Sequence, residues 1–113
     1  MREITIGDKK MRVRATPLAL LFYQQEFKSD LIGDLMKLQG LKKNPSQFDS
    51  VLFLKIIWAM AKTDKPKDFP SFEGWLENLD TFDFGDKELM LAVMEEASDG
   101  FFRRSRKAPK GKQ

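Results

Sequence analysis

The chain contains no cysteine and no histidine. Without cysteine there are no disulfides, no thiolate nucleophile and no cysteine-ligated metal. Without histidine the commonest general base and metal ligand is missing, and every Ser-His or Cys-His nucleophile arrangement goes with it. Tyrosine occurs once, so acid–base chemistry would fall to carboxylates and lysines. The chain therefore reads as a non-enzymatic protein, with no metal and no cofactor. Neither GxxxxGK[ST] nor GxGxxG occurs, which leaves a nucleotide-binding loop without support. Long apolar runs are missing as well. The most apolar stretch, Val51 to Ala61, is interrupted by Lys55 and falls well short of the ~20 residues that span a bilayer. It reads as a buried helix. Met1-Arg2-Glu3 leads into alternating residues rather than an apolar leader core, so an export signal is not expected and the cytoplasm is the expected location.

What is present suffices for a core. The chain has 113 residues, 42% apolar and 33% charged, the composition of one folded domain rather than a disordered segment. Its net charge of +3 is unevenly spread. Arg103, Arg104, Arg106, Lys107, Lys110 and Lys112 form a basic end without a single acid, so the preceding body is net negative. The expected organisation is a helical domain over residues 1–104 and a flexible basic tail over 105–113.

"EITIGDKKMRVR" predicts a β-hairpin over about residues 2–14, with Ile4, Ile6, Met11 and Val13 alternating with polar residues around a Gly7-Asp8 turn signal. A four-residue loop, Gly7 to Lys10, would set Ile6 against Met11, Ile4 against Val13 and Glu3 against Arg14, an opposite-charge pair. A two-residue loop would set Ile6 against Lys9, so the longer loop is the expected one. Thr16-Pro17 predicts a helix start, followed by Leu18, Leu21 and Phe22 at helical spacing and Leu20, Tyr23 and Phe27 beside them. Ser29 or Asp30 caps a second helix carrying Leu31, Ile32, Leu35, Met36 and Leu38, ending near Gly40. Ser46 and Asp49 resemble a capping box before the central helix.

The stretch "DFPSFEGWLENLDTFDF" follows a lysine- and proline-rich loop. Pro70-Ser71 sets a cap, and Phe72, Trp75, Leu76 and Leu79 share one face of a short helix. Strict helical spacing is what packing demands, and burying each ring stabilises by ~1.5–3 kcal/mol, so core packing explains this face without a partner. So short a helix must nevertheless dock on something. Asp80, Asp83 and Asp86 recur every third residue, but Phe82 and Phe84 interrupt the oxygen pattern of an EF-hand, and turns and caps account for them better. Asp86 would cap a last helix bearing Leu89, Met90, Val93, Met94, Ala97 and Phe101, with Glu95-Glu96 on its solvated face. The expected fold is mainly α, about five helices with an N-terminal β-hairpin in a single domain.

The order of these features resembles the small tail assembly chaperones of long-tailed bacteriophages and prophages. The likeness rests on "EITIGDKKMRVRATPLALLFYQQEF", the central apolar helix, "FPSFEGWLENLDTFDF" and the ending "FFRR", spanning most of residues 2–104. That family has no active-site residues to transfer. The resemblance implies a non-enzymatic chaperone that binds the tape-measure protein, and in some members the tail-tube protein, in the host cytoplasm before tube polymerisation. It also implies absence from the finished virion. In many members a ribosomal frameshift near the end of the gene appends a second domain, and "KGK" is compatible with a slippery run there. Self-association stays open, and no membrane is involved. The partner-binding candidates are Phe72, Trp75, Phe82 and Phe84, with the hairpin as second choice. The alternative reading is a small nucleic-acid-binding phage protein using the basic tail, whose affinity would fall steeply with salt. No aromatic residue is interleaved beyond Phe102, and a solubilising tail is the simpler account of those cations.

Overall fold

The computed structural model describes residues 2–39 and 49–102. Two strands, β1 (Arg2–Ile6) and β2 (Lys9–Val13), are followed by five helices: α1 (Pro17–Phe27), α2 (Leu31–Gln39), α3 (Ser50–Asp64), α4 (Phe72–Glu77) and α5 (Lys87–Phe102). The expected hairpin and mainly helical architecture are therefore both present. The Ser46 cap lies outside the described residues, as does the basic tail from Arg103 onward.

The hairpin register differs from the expected one. Ile4 pairs with Met11, Ile6 with Lys9, Glu3 with Arg12 and Arg2 with Val13, around a two-residue loop of Gly7 and Asp8. Gly7 has φ +64°, matching the glycine-first pattern of a type II′ turn, whose twist suits the flanking strands. Setting Lys9 opposite Ile6 costs little because Lys9 sits at the exposed end of the ribbon. The favoured turn outweighs the neater side-chain pairing. Ile4, Ile6 and Val13 are still buried.

The central helix is α3. Leu52, Phe53 and every residue from Ile56 to Ala61 are buried, because α1, α2, α4 and β2 all pack on it. Asp49 is its N-cap, accepting a hydrogen bond from the Leu52 amide at 3.1 Å. Lys55, the charge inside this apolar run, places its ammonium over the Phe27 ring at 5.1 Å. Its stem stays in the protein while the cation remains near water. At the other end of α3 the Arg14 amide donates to the Met60 carbonyl at 3.0 Å. The Arg14 guanidinium meets Asp64 at 3.1 Å, which fastens the end of β2 to the helix.

Thr16 is the N-cap of α1 and Pro17 its first residue, but the Thr16 side chain makes no capping bond. Leu18 and Leu21 are exposed, contrary to the expected inward face; Ala19 and Tyr23 are the buried positions. An apolar residue occurs at almost every position from 17 to 23, so periodicity could not choose a face there. Asp30 caps α2 through the Gly33 amide at 3.2 Å. Ser29 instead donates to Asp34 at 2.9 Å, and Tyr23 donates to the same oxygen at 2.7 Å.

Glu96 corrects a second expectation. It is only 5% exposed, not solvated. One carboxylate oxygen accepts from the Ala15 amide at 3.0 Å, and the other faces the Arg2 guanidinium at 3.6 Å. Arg2 also reaches Glu95 at 3.5 Å and Asp99 at 3.3 Å. The start of β1 is thereby clamped to α5 by charge, while Leu89, Val93 and Ala97 form the buried side of that helix. Asp86 caps it through the Leu89 amide at 3.1 Å. Near its end α5 passes so close to the chain at Ala15 that a Cβ on Gly100 would overlap the Ala15 carbonyl and side chain.

Two outcomes follow from this packing. Helix propensity alone would make Gly100→Ala stabilising by ~1 kcal/mol. The close approach to Ala15 should reverse the sign, giving a loss of ~1–3 kcal/mol by urea denaturation. The second concerns Asp34. Burial raises its pKa, but hydrogen bonds from Tyr23 and Ser29 and the nearby Lys37 outweigh that and hold it below the ordinary carboxylate value. A depressed folded-state pKa adds stability that is present above about pH 5 and lost as pH falls through the folded value. The stability gap between the native protein and Asp34→Asn should therefore narrow in urea titrations between neutral pH and about pH 3.

Candidate partner-binding groove

The aromatic side chains form two groups around α3. In the first, Phe27 is central: its ring lies 4.8 Å from Tyr23, 5.4 Å from Trp58 and 5.0 Å from Phe72, all edge-on. Phe72 stacks on Trp75 at 6.2 Å, and Trp58 also meets Phe69 at 6.4 Å. Edge-on and offset contacts are the favoured geometries for such rings. Polar bonds hold this group in place. The Trp58 indole N–H donates to the Pro70 carbonyl at 3.1 Å, the Phe72 amide donates to Glu26 at 3.0 Å, and Ser71 caps α4 through the Gly74 amide at 3.2 Å. In the second group, Phe82 and Phe84 sit 4.4 Å apart and lean on Phe53.

The four aromatic candidates are thus not one surface of equal exposure. Trp75 is 5% exposed and Phe84 37%, while Phe72 and Phe82 are half-buried. Phe72 and Trp75 belong to the ring cluster that docks α4 on α1 and α3, and Phe82 and Phe84 rest on Phe53. The six basic-tail candidates lie outside the described residues.

The structure instead brings Trp75 together with the hairpin. A groove of about 410 Å³ runs between β2, the end of α3 and the α4 region. Met11, Ala61, Phe69, Trp75 and Leu79 supply its apolar lining. Its rim carries Lys9, Lys10, Arg12 and Lys65, with Glu3 and Asp64 as the acids. Asp64 is engaged by Arg14 and Glu3 stands opposite Arg12 in the strand pair, with Lys9, Lys10 and Lys65 also at the rim. Met11 belongs to the hairpin, the second choice from sequence, and Leu79 to the Trp75 face, whereas Phe69 and Lys65 were not among the sequence candidates. The four come from separate segments, and no spacing rule connects them.

Asp83 and Asp86 serve local structure. Asp83 accepts from the Gly85 amide at 2.8 Å, a turn contact, and Asp86 is the α5 cap. No cluster of three or more acids that could hold a metal ion occurs among the described residues. No helix among them is long and apolar enough to cross a membrane. Comparison with protein-family models, curated proteins and solved structures finds no match to this chain.

The placement of Trp75 yields a direct test. Trp75→Ala should remove the stack on Phe72 and open a void beside α3, costing ~3–5 kcal/mol of stability in urea denaturation. A loss below ~1 kcal/mol would mean that the α4 region holds its place without the indole.

Proposed function

We propose that this chain is a non-enzymatic binding module of the tail assembly chaperone kind. In this reading it binds the tape-measure protein, and as in some members of that family the tail-tube protein, in the host cytoplasm before the tube polymerises. Two considerations support the reading: the order of sequence features resembles that family, and the fold offers an apolar-lined groove where the hairpin meets the α4 region. The groove is the observation that carries it. A tape-measure chain is long, helical and partly apolar, and before assembly its apolar stripes are liable to aggregate. A small partner that covers such a stripe removes apolar surface from water, the dominant favourable term in association. Leu18 and Leu21, one turn apart on α1 and exposed, extend the apolar surface that such a partner can use.

The experiment is co-expression of the chain with a phage tape-measure protein, followed by size-exclusion chromatography at low and moderate salt. Co-elution that persists or strengthens as salt rises is the expected result, because apolar docking is not screened. A tape-measure protein that aggregates equally with and without this chain would overturn the reading. Binding of duplex DNA or RNA that collapses between low and moderate salt would favour the nucleic-acid alternative.

A further inference from the structure

Helix α5 is held in two different ways along its length. Its first half is seated by packing: Leu89 and Val93 are buried, and Asp86 caps the helix through the Leu89 amide. In its second half, residues 95–102, Ala97 is the one apolar side chain fully buried, and Phe101 is half-buried. Little apolar area secures that half. Ser98, Asp99 and Gly100 follow one another there, and all three are weaker helix formers than alanine. Glu95 and Asp99 stand four residues apart and Glu96 and Asp99 three, spacings at which like charges destabilise a helix.

Arg2 answers all three carboxylates. Its guanidinium lies 3.5 Å from Glu95, 3.6 Å from Glu96 and 3.3 Å from Asp99. Each distance is longer than the ~2.7–2.9 Å of a well-formed charged hydrogen bond. Arg2 Nε is the one buried side-chain nitrogen or oxygen among the described residues without a hydrogen-bond partner. The clamp therefore acts through charge more than through hydrogen-bond geometry, and charge between partly exposed groups is screened by salt. The Ala15 amide adds one hydrogen bond to Glu96, at 3.0 Å. Close packing does not reinforce the contact, because a cavity of about 370 Å³ lies beside it, lined in part by Arg2, Ala15, Thr16, Asp99 and Gly100.

We propose that residues 95–102 form a flap latched by Arg2, which swings off the Ala15 turn while α3 and the helices around it stay folded. A segment opens below the free energy of global unfolding when it has few buried apolar contacts and solvent-exposed attachments, and this half of α5 has both. The open form uncovers Ala15, Ala97 and the inner side of Phe101, apolar surface that the closed form hides. Arg2 sets how often this happens, since without it the three carboxylates are left to repel one another. Such a latch operates whether or not the chain is a tail assembly chaperone.

The test is amide hydrogen exchange by mass spectrometry on the full-length protein, comparing peptides over residues 95–102 with peptides over 56–61. Arg2→Gln should speed exchange over 95–102 by at least about fivefold at low salt, the size expected of several partly exposed ion pairs acting together. It should leave 56–61 unchanged. At ~1 M salt, where the screening length falls to ~3 Å, variant and wild type should converge. Arg2→Lys, which keeps the charge, should lose less protection than Arg2→Gln. Adding Glu95→Gln and Asp99→Asn to Arg2→Gln should restore part of the protection by removing the repulsion. Unchanged exchange over 95–102 in Arg2→Gln would overturn the proposal, as would a triple variant no better protected than Arg2→Gln. A difference that survives ~1 M salt would also overturn it, assigning the effect to packing of the Arg2 stem. If 56–61 lose protection together with 95–102, α5 opens only as the whole chain unfolds, and the latch falls with that result.

Discussion

A helix that is apolar on nearly every side has to be covered, and α3 imposes that constraint on the rest of this chain. From Ile56 to Ala61 it offers no polar side to solvent, so α1, α2, α4 and the hairpin each find their position as a wall around it. The ring cluster centred on Phe27 follows from the same demand, since large flat side chains fill the gaps between helices of unequal length. Even the cations obey it. Lys55 and Lys62 stand over aromatic rings at the boundary of the core, Lys62 4.7 Å from the Phe22 centroid.

Polar fasteners then decide how the walls are joined. Two junctions between elements are held by buried carboxylates. Asp34 ties α2 to α1 through Tyr23, and burial together with this hydrogen bond pushes the Tyr23 phenol far above its ordinary pKa. Glu96 ties α5 to the turn at Ala15 and to Arg2. A buried carboxylate is tolerated when its oxygens are satisfied, and removing either partner leaves an uncompensated group. Specific junctions between helices therefore depend on a few polar side chains, while the bulk of the stability comes from α3 and its cover.

The functional reading changes shape once these walls are in place. The sequence of residues 68–84 reads first as core packing, and the structure buries Trp75 and half-buries Phe69 and Phe72 where α4 is seated, while Phe82 and Phe84 lean on Phe53. What remains accessible is a seam, where the same Trp75 meets Met11 from the hairpin and the cations of β2 and Lys65 surround an apolar floor. The rings of Phe72 and Trp75 therefore mark where α4 docks, and the groove lies at the edge of that docking site.

Much of this protein was legible in its residues because local chemistry settles local structure. The hairpin, the Pro17 helix start, the Asp30, Ser71 and Asp86 caps and the central position of α3 all follow from turn residues, capping oxygens and hydrophobic spacing. Where two local preferences competed, in the hairpin, the favoured two-residue turn prevailed over the better-matched register. Where periodicity was saturated or silent, tertiary packing decided: it turned Leu18 and Leu21 outward and brought Glu96 inward to the Ala15 amide. The groove belongs wholly to that second class. Its lining comes from β2, the end of α3, the following loop and the α4 region, and residues so far apart in sequence become neighbours only when α3 is covered on all sides.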